Sequence, residues 1–295
     1  MHGAVREPRR TVLITGTSTG IGEATTKALA ARGWRVFATM RNLDKSKSLE
    51  RSLDEAGLRA HVELERLDVT DPASIRDAVA AMLLRTGNRL DAVVHNAGVA
   101  AGGAFEDLPA AEVRRVMETN FFGVLEVTRQ LLPLFRAQRQ GRIVIISSFA
   151  AFAGQPANSV YCASKWALEG WAESLSYELE QFGLDVILVE PSPYRTQIWK
   201  TSPRIDLPAS PYQGWTRRVF DATDRLVVET ARESHEVADV IADALEARRP
   251  RFRYPVGPTA GLSHFLRGKV TARVVRRGIA WYLGLTRSRH RDGGL

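Results

Sequence analysis

The chain has 295 residues, 44% of them hydrophobic, enough for one large core, and a single cysteine, Cys162, which excludes an intrachain disulfide and fits a reducing cytoplasm. The six histidines show no metal-ligand spacing, and no apolar run approaches the roughly 20 residues of a membrane span, so neither a metal site nor a transmembrane segment is expected. The net charge of +8 is uneven: from Arg248 onward twelve Arg or Lys face one acid, Asp292, for +11, and the preceding residues carry −3.

Thr11–Thr15 reads as a buried parallel strand, followed by Gly16-Thr-Ser-Thr-Gly20-Ile-Gly22 and a helix over 23–32. Strand, Gly-rich turn and helix in that order cradle a phosphate. Gly16 allows the tight turn, Gly20 lets backbone approach pyrophosphate, and Gly22 permits close packing of a helix whose N-terminus attracts the anion. The second strand, 34–39, ends at Met40 and Arg41, with Lys45 close by. An acid here would hold ribose hydroxyls, whereas a guanidinium suits a 2′-phosphate, to which Ser18 adds a hydroxyl. NADP(H) is therefore favoured over NAD(H).

A polar helix over 42–57 leads to a third strand, 61–67, closed by Asp68 and Val69. Asp68 either accepts from an adenine amino group or serves the turn before Pro72–Thr86, whose start Thr70 or Asp71 caps. Strand four, 90–95, delivers Asn96-Ala97-Gly98 to its carboxyl end, where ligands lie in open α/β sheets. Small residues there let a ribose lie against backbone, and Asn96 ties neighbouring strands. A helical stretch over 110–139, with Glu112, Arg114, Arg115 and Glu118 on its exposed side, is interrupted by Asn120 in an apolar run. A buried mid-helix Asn needs partners.

After a strand over 142–147, Ser148 stands thirteen residues before Tyr161, and Lys165 follows four later. The run is helix-permissive, capped by Asn158 or Ser159, so Tyr161 and Lys165 stack on one face. An ammonium beside a phenol favours the phenolate, so the Tyr161 pKa is expected to fall from about 10 toward working pH. Such a phenol is a general acid or base, with the Ser148 hydroxyl facing a bound carbonyl. Cys162 reads as a small apolar helix residue. A strand over 184–190 leaves through the rigid loop Pro191-Ser192-Pro193-Tyr194-Arg195-Thr196. Five strand–helix alternations give an α/β fold, a single-domain Rossmann-type doubly wound parallel sheet of about seven strands with a C-terminal helical extension.

In combination, TGTSTGIG at 15–22, Asn96-Ala97-Gly98, Asn120, Ser148 and Tyr161-Cys-Ala-Ser-Lys165 resemble the short-chain dehydrogenase/reductase family over about residues 10–200. VYCASKWALEG, the strand end VFATMR and the chain length are most similar to its hydroxysteroid and retinol dehydrogenase branch. The resemblance implies that Tyr161 is the acid/base, Lys165 lowers its pKa and holds the nicotinamide ribose, Ser148 polarises the substrate oxygen, and Asn120 holds a water in a proton relay. It also implies that Gly16, Ser18, Thr19, Gly20, Ile21 and Gly22 line the cofactor phosphates, with Arg41 at the 2′-phosphate. Asp68, Val69, Asn96, Ala97 and Gly98 frame adenine and ribose, while Pro191 and Thr196 meet the nicotinamide end. Two residues depart from the family pattern: His95 stands where a second Asn is usual, and Ser192 replaces a Gly. A homodimer or homotetramer through the helices near 110–139 and 161–182 is implied.

Residues 1–257 are expected to form the catalytic domain, ending with a helix over 235–248 and a last strand over 251–256. A substrate lid over 197–225 carries Ile198, Trp199, Pro203, Ile205, Leu207, Tyr212 and Trp215, which suit an apolar alcohol or ketone of steroid, retinoid or long-chain acyl type better than a sugar. In the basic extension, 258–295, a helix over 262–285 places Lys269, Arg273 and Arg276 on one face with Arg277 at its edge. Val270, Val274, Val275, Ile279, Trp281 and Tyr282 spread over the other. Such a helix lies on anionic lipid, covers an apolar mouth, or packs on its own core or a partner subunit. Nucleic acid is not expected as a partner, because no recognition module accompanies the charge. The expected location is cytoplasmic, with peripheral membrane contact as one use of the tail. The competing class is a nucleotide-binding regulatory or membrane-peripheral scaffold without turnover, against which the intact Asn120, Ser148, Tyr161 and Lys165 set argues.

Overall fold

In the computed structural model, residues 9–194, 196–257 and 271–282 are described. Strands β1 (Thr11–Thr15), β2 (Arg35–Met40), β3 (Val62–Arg66), β4 (Ala92–His95), β5 (Gly141–Ile146), β6 (Leu184–Pro191) and β7 (Arg253–Val256) form one sheet. Its order is β3-β2-β1-β4-β5-β6-β7, with every pair parallel. The doubly wound α/β reading holds, and the order reverses between β1 and β4, which opens a crevice at the carboxyl ends of these two strands.

The central strands read as continuous apolar runs because both faces are covered. Along β1, Val12 and Ile14 face one layer and Leu13 the other, following the two-residue period of a strand. On the first face lie α1 (Gly20–Ala31), α2 (Lys47–Glu55) and α9 (His235–Glu246), through Leu29, Leu53 and Ile241 among others. On the second lie α3 (Pro72–Thr86), α5 (Gly123–Gln138) and α6 (Ser159–Glu180), through Met82, Leu131, Leu168 and Ala172. Asp71 caps α3, accepting from the Ala73 backbone N–H at 2.9 Å. Asn158 precedes α6 but makes no side-chain cap; it donates instead to Gln155 Oε1 at 3.0 Å.

The helical stretch around Asn120 is broken in an informative way. α4 (Ala110–Met117) passes into a π-helical turn, Glu118–Phe122, before α5 begins. Asn120 is fully buried and binds across to another segment: Oδ1 accepts from Val99 N–H, and Nδ2 donates to Val99 O, each at 2.8 Å. Nδ2 also donates to Ser164 Oγ on α6 at 3.0 Å. The widened turn seats this side chain, as π-turns at functional sites do.

The segment expected as a lid contains α7 (Ile198–Thr201) and α8 (Gln213–Thr230). Much of it is stitched to the body. Gly102 N–H donates to Pro203 O at 2.9 Å, Ile205 N–H donates to Gly102 O at 2.8 Å, and Ile205 packs by Leu108 and Val116. Leu207 and Tyr212 face solvent, with Tyr212 edge-on to Trp215. The Trp199 side chain lies outside the described residues. Of the C-terminal extension, α10 (Ala272–Tyr282) is described; Lys269 and Val270 lie outside. No described helix is long and apolar enough to cross a membrane.

Candidate active site

The β1–α1 turn is built by close approach. Gly16 and Gly20 have φ of +72° and +64°, the left-handed region that favours glycine. A Cβ on Gly22 would lie 2.3 Å from Gly16 O and 2.4 Å from Asn96 Nδ2, so only glycine lets α1 start this near the turn. Asn96 locks that turn to the end of β4, its Nδ2 donating to Thr15 O at 3.0 Å and Gly16 O at 2.7 Å. Thr15 completes the tie, its Oγ1 accepting from the Asn96 and Ala97 N–H groups at 3.1 Å each. Thr19 precedes α1 without capping it by its side chain, leaving first-turn amides directed at the crevice.

The crevice has a volume of about 700 Å³. Gly16, Ser18, Thr19, Gly20 and Ile21 line it at the turn, and Arg41, Asn42 and Lys45 line it beyond β2. Arg41 is exposed and makes no ion pair among the described residues. Asp68 and Val69 border the same space; Asp68 Oδ1 also accepts from the Thr70 N–H at 3.0 Å and hydroxyl at 2.7 Å, so it serves the turn as well as the wall. Asn96, Ala97, Gly98, Ser148, Tyr161, Lys165, Pro191 and Thr196 continue the lining. Gly22 and Asn120 sit behind it as supports. Dipole-bearing amides and a glycine cradle fit the pyrophosphate of a dinucleotide.

At the far end, β5 and α6 bring the reactive groups together. Ser148 accepts from Ala150 N–H at 3.1 Å, which orients its hydroxyl, and it acts on the Tyr161 hydroxyl to favour the phenolate. Lys165 Nζ donates to Ile146 O at 2.8 Å and lies 5.7 Å from the Tyr161 ring centre. Both side chains are buried. Burial pushes the Tyr161 pKa up to about 12, against the opposing pull of the Ser148 hydrogen bond. Burial likewise lowers Lys165 to about 8. The sequence-based expectation of a phenol made acidic by its neighbour therefore has the wrong sign here, because desolvation is the largest cause and outweighs the pull of Ser148.

His95 is buried beneath Asn96, its Nε2 2.9 Å from Thr128 Oγ1, and burial lowers its pKa to about 3. Ser192 is accommodated by a partner glycine. At Gly257 (φ +96°) a Cβ would come within 2.9 Å of the Ser192 Cβ and Oγ, so the serine side chain takes the space that a second side chain would need. Tyr194, two residues on, donates to Glu236 Oε2 at 2.9 Å and ties this loop to α9. Cys162 is buried, with its thiol pushed up by burial, and accepts from Gln155 N–H at 3.3 Å.

Some lining residues escaped the sequence reading. Arg115, expected on an exposed face, reaches inward to donate to Ala100 O at 2.9 Å while paired with Glu112, and it borders the crevice with Thr119. The signal was the helix phase, since Arg115 and Thr119 are four apart and Thr119 immediately precedes Asn120. Gln155, Gln197 and Thr201 add polar groups near Tyr161. Of the seven lid candidates, Ile198 lines the crevice. Among the described residues no cluster of His, Cys, Asp or Glu could hold a metal.

Comparison with known proteins adds to the geometry. Residues 10–205 match the family described as short chain dehydrogenase. The chain is 34% identical to human retinol dehydrogenase 8, over 83% of this chain and 80% of that protein. It is 34% identical to human 17-beta-hydroxysteroid dehydrogenase type 1, over 83% and 77%. Among solved structures, a short-chain dehydrogenase from Streptomyces avermitilis superposes with a TM-score of 0.76 at 31% identity, covering 96% of this chain and 99% of that one. A metagenomic short-chain oxidoreductase in complex with NADP gives 0.66 at 28% identity, over 84% and 97%.

Proposed function

The chain belongs to the short-chain dehydrogenase family and is an oxidoreductase of CH–OH groups with a nicotinamide cofactor; within that chemistry we propose that it interconverts a lipid-like alcohol and its ketone or aldehyde using NADP(H). The observation that carries the reading is the meeting of Ser148, Tyr161 and Lys165, the last two buried, on one crevice at the carboxyl end of β5. The glycine turn, Asn96 and Lys165 would hold a nicotinamide cofactor, whose chemistry is to supply or accept the hydride.

The protein's own residues handle the proton and the oxygen. With a pKa near 12, Tyr161 rests as the neutral phenol and gives its proton to the substrate oxygen as the carbon is reduced. Ser148, already oriented by Ala150 N–H, donates to the same oxygen and steadies the charge that builds there. The Lys165 ammonium stabilises the phenolate left behind, and in oxidation that phenolate takes the alcohol proton back. Asn120 holds α6 against the Val99 segment, which fixes the approach of Tyr161.

Arg41 supports the preference for the 2′-phosphate. Val99, Phe149 and Ile198 at the substrate end, together with relatives named for retinol and hydroxysteroid, support an apolar substrate. Exposed Phe122, Trp166 and Tyr177 beside and along α5 and α6 support pairing of two chains through these helices. The test is oxidation of NADPH, with NADH alongside, against steroid, retinoid, long-chain acyl and polyol carbonyls. Turnover with an apolar carbonyl and NADPH is expected; turnover confined to polyols, or far better use of NADH, would contradict the reading.

A further inference from the structure

The helix α10 presents two chemistries to solvent at once. Advancing 100° per residue, Arg273, Arg276 and Arg277 fall on one arc, and Val274, Val275 and Ile279 fall on the other, with Trp281 at its edge beside Arg277. A helix packed on its own core would hide the second arc. Here Val274 is 57% exposed, Val275 36% and Trp281 74%, while the three arginines are exposed too. No arginine of this helix makes an ion pair with a described residue.

What the surface fits follows from charge. The residues before Arg248 carry −3 and those from Arg248 onward +11. A second copy of this chain would bring another strongly basic tail against the first. An anionic lipid surface meets both arcs: the apolar side enters the headgroup–acyl boundary with Trp281 at the level that indole favours, and the arginines pair with phosphates. We propose that α10 docks the protein on anionic bilayers as a peripheral, non-spanning anchor. This inference is independent of the substrate, and it would survive if the enzyme used another carbonyl class.

The experiment is cosedimentation of the full chain with vesicles of phosphatidylcholine alone and of phosphatidylcholine with one third phosphatidylglycerol, at low and high salt. Binding to the anionic vesicles that weakens with salt is expected. The triple variant Arg273→Gln, Arg276→Gln, Arg277→Gln loses about 100-fold in partitioning, from roughly fivefold per charge at the surface. Trp281→Ser weakens binding several-fold, most visibly at high salt, and both variants keep wild-type turnover on a water-soluble carbonyl. Equal binding to neutral vesicles, or wild-type binding by the triple variant, overturns the proposal. So does a loss of oligomer in Trp281→Ser by sedimentation velocity with vesicle binding intact, which would assign the helix to a second copy. Binding to duplex DNA stronger than to anionic vesicles at equal salt also overturns it.

Discussion

Replacing Lys165 with Met separates what the lysine does for chemistry from what it costs the fold. Lys165 is 6% exposed, and desolvation holds its pKa at about 8 instead of 10.5. The unfolded chain therefore binds this proton more tightly than the folded one. Wild-type stability rises as the pH climbs from about 8 to 10.5, and the penalty is full below about 8. The gap corresponds to about 3 kcal/mol. Lys165→Met keeps the aliphatic length and removes the charge, but it gives up the 2.8 Å hydrogen bond to Ile146 O, a loss of about 1 kcal/mol. The variant should gain about 2 kcal/mol at pH 7 and lose that advantage near pH 10.5, while turnover drops by roughly 100-fold or more. Urea denaturation at the two pH values reads the stability, and initial rates read the turnover. A variant less stable than wild type at pH 7, or equally advantaged at both, refutes the picture of a desolvated cation held in place for function.

Arg41→Ala should weaken NADPH binding by about 10- to 100-fold, the loss of a charge-assisted hydrogen bond, and leave NADH nearly unchanged in fluorescence titration. His95 carries a lowered pKa, about 3 against 6.5, so the unfolded chain takes up the proton first and stability falls as pH drops below about 6.5. The loss reaches about 5 kcal/mol near pH 3, and His95→Asn should unfold at a lower pH than wild type; identical acid midpoints would contradict the buried neutral imidazole. Tyr194→Phe removes the 2.9 Å bond from the Pro191–Thr196 loop to Glu236. It should raise KM for NADPH several-fold with little change in kcat, and a stability loss of about 1 kcal/mol is expected.

The sheet and the phosphate turn were legible because local sequence dictates them. Thr11–Thr15 can only be a covered strand, and Gly16, Gly20 and Gly22 each answer a steric demand that shows in their positive φ or in the contact an added Cβ would make. Boundaries moved by a residue or two where strands fray. Tyr161, Ser148 and Lys165 were placed by their spacing together with the family resemblance, and the structure brings all three to one crevice. The sign of the tyrosine shift was not legible, since burial comes from β5, α6 and the loops around them rather than from the YxxxK spacing. Nor was the π-turn, whose cause is a partner at Val99, twenty-one residues away. Ser192 departs from the family pattern, and the glycine that makes room for it, Gly257, lies far along the chain. Within the segment read as a lid, apolar side chains predict burial but not its partner: Ile198 lines the crevice, and Ile205 packs in the body.

The most direct measurement is the turnover of Tyr161→Phe on the best carbonyl substrate, alongside NADPH binding to the same protein. Phenylalanine keeps the ring and loses the one proton placed to reach the substrate oxygen. A fall in kcat of at least about 100-fold, with NADPH affinity near that of wild type, is the predicted result; turnover within a few-fold of wild type would contradict it.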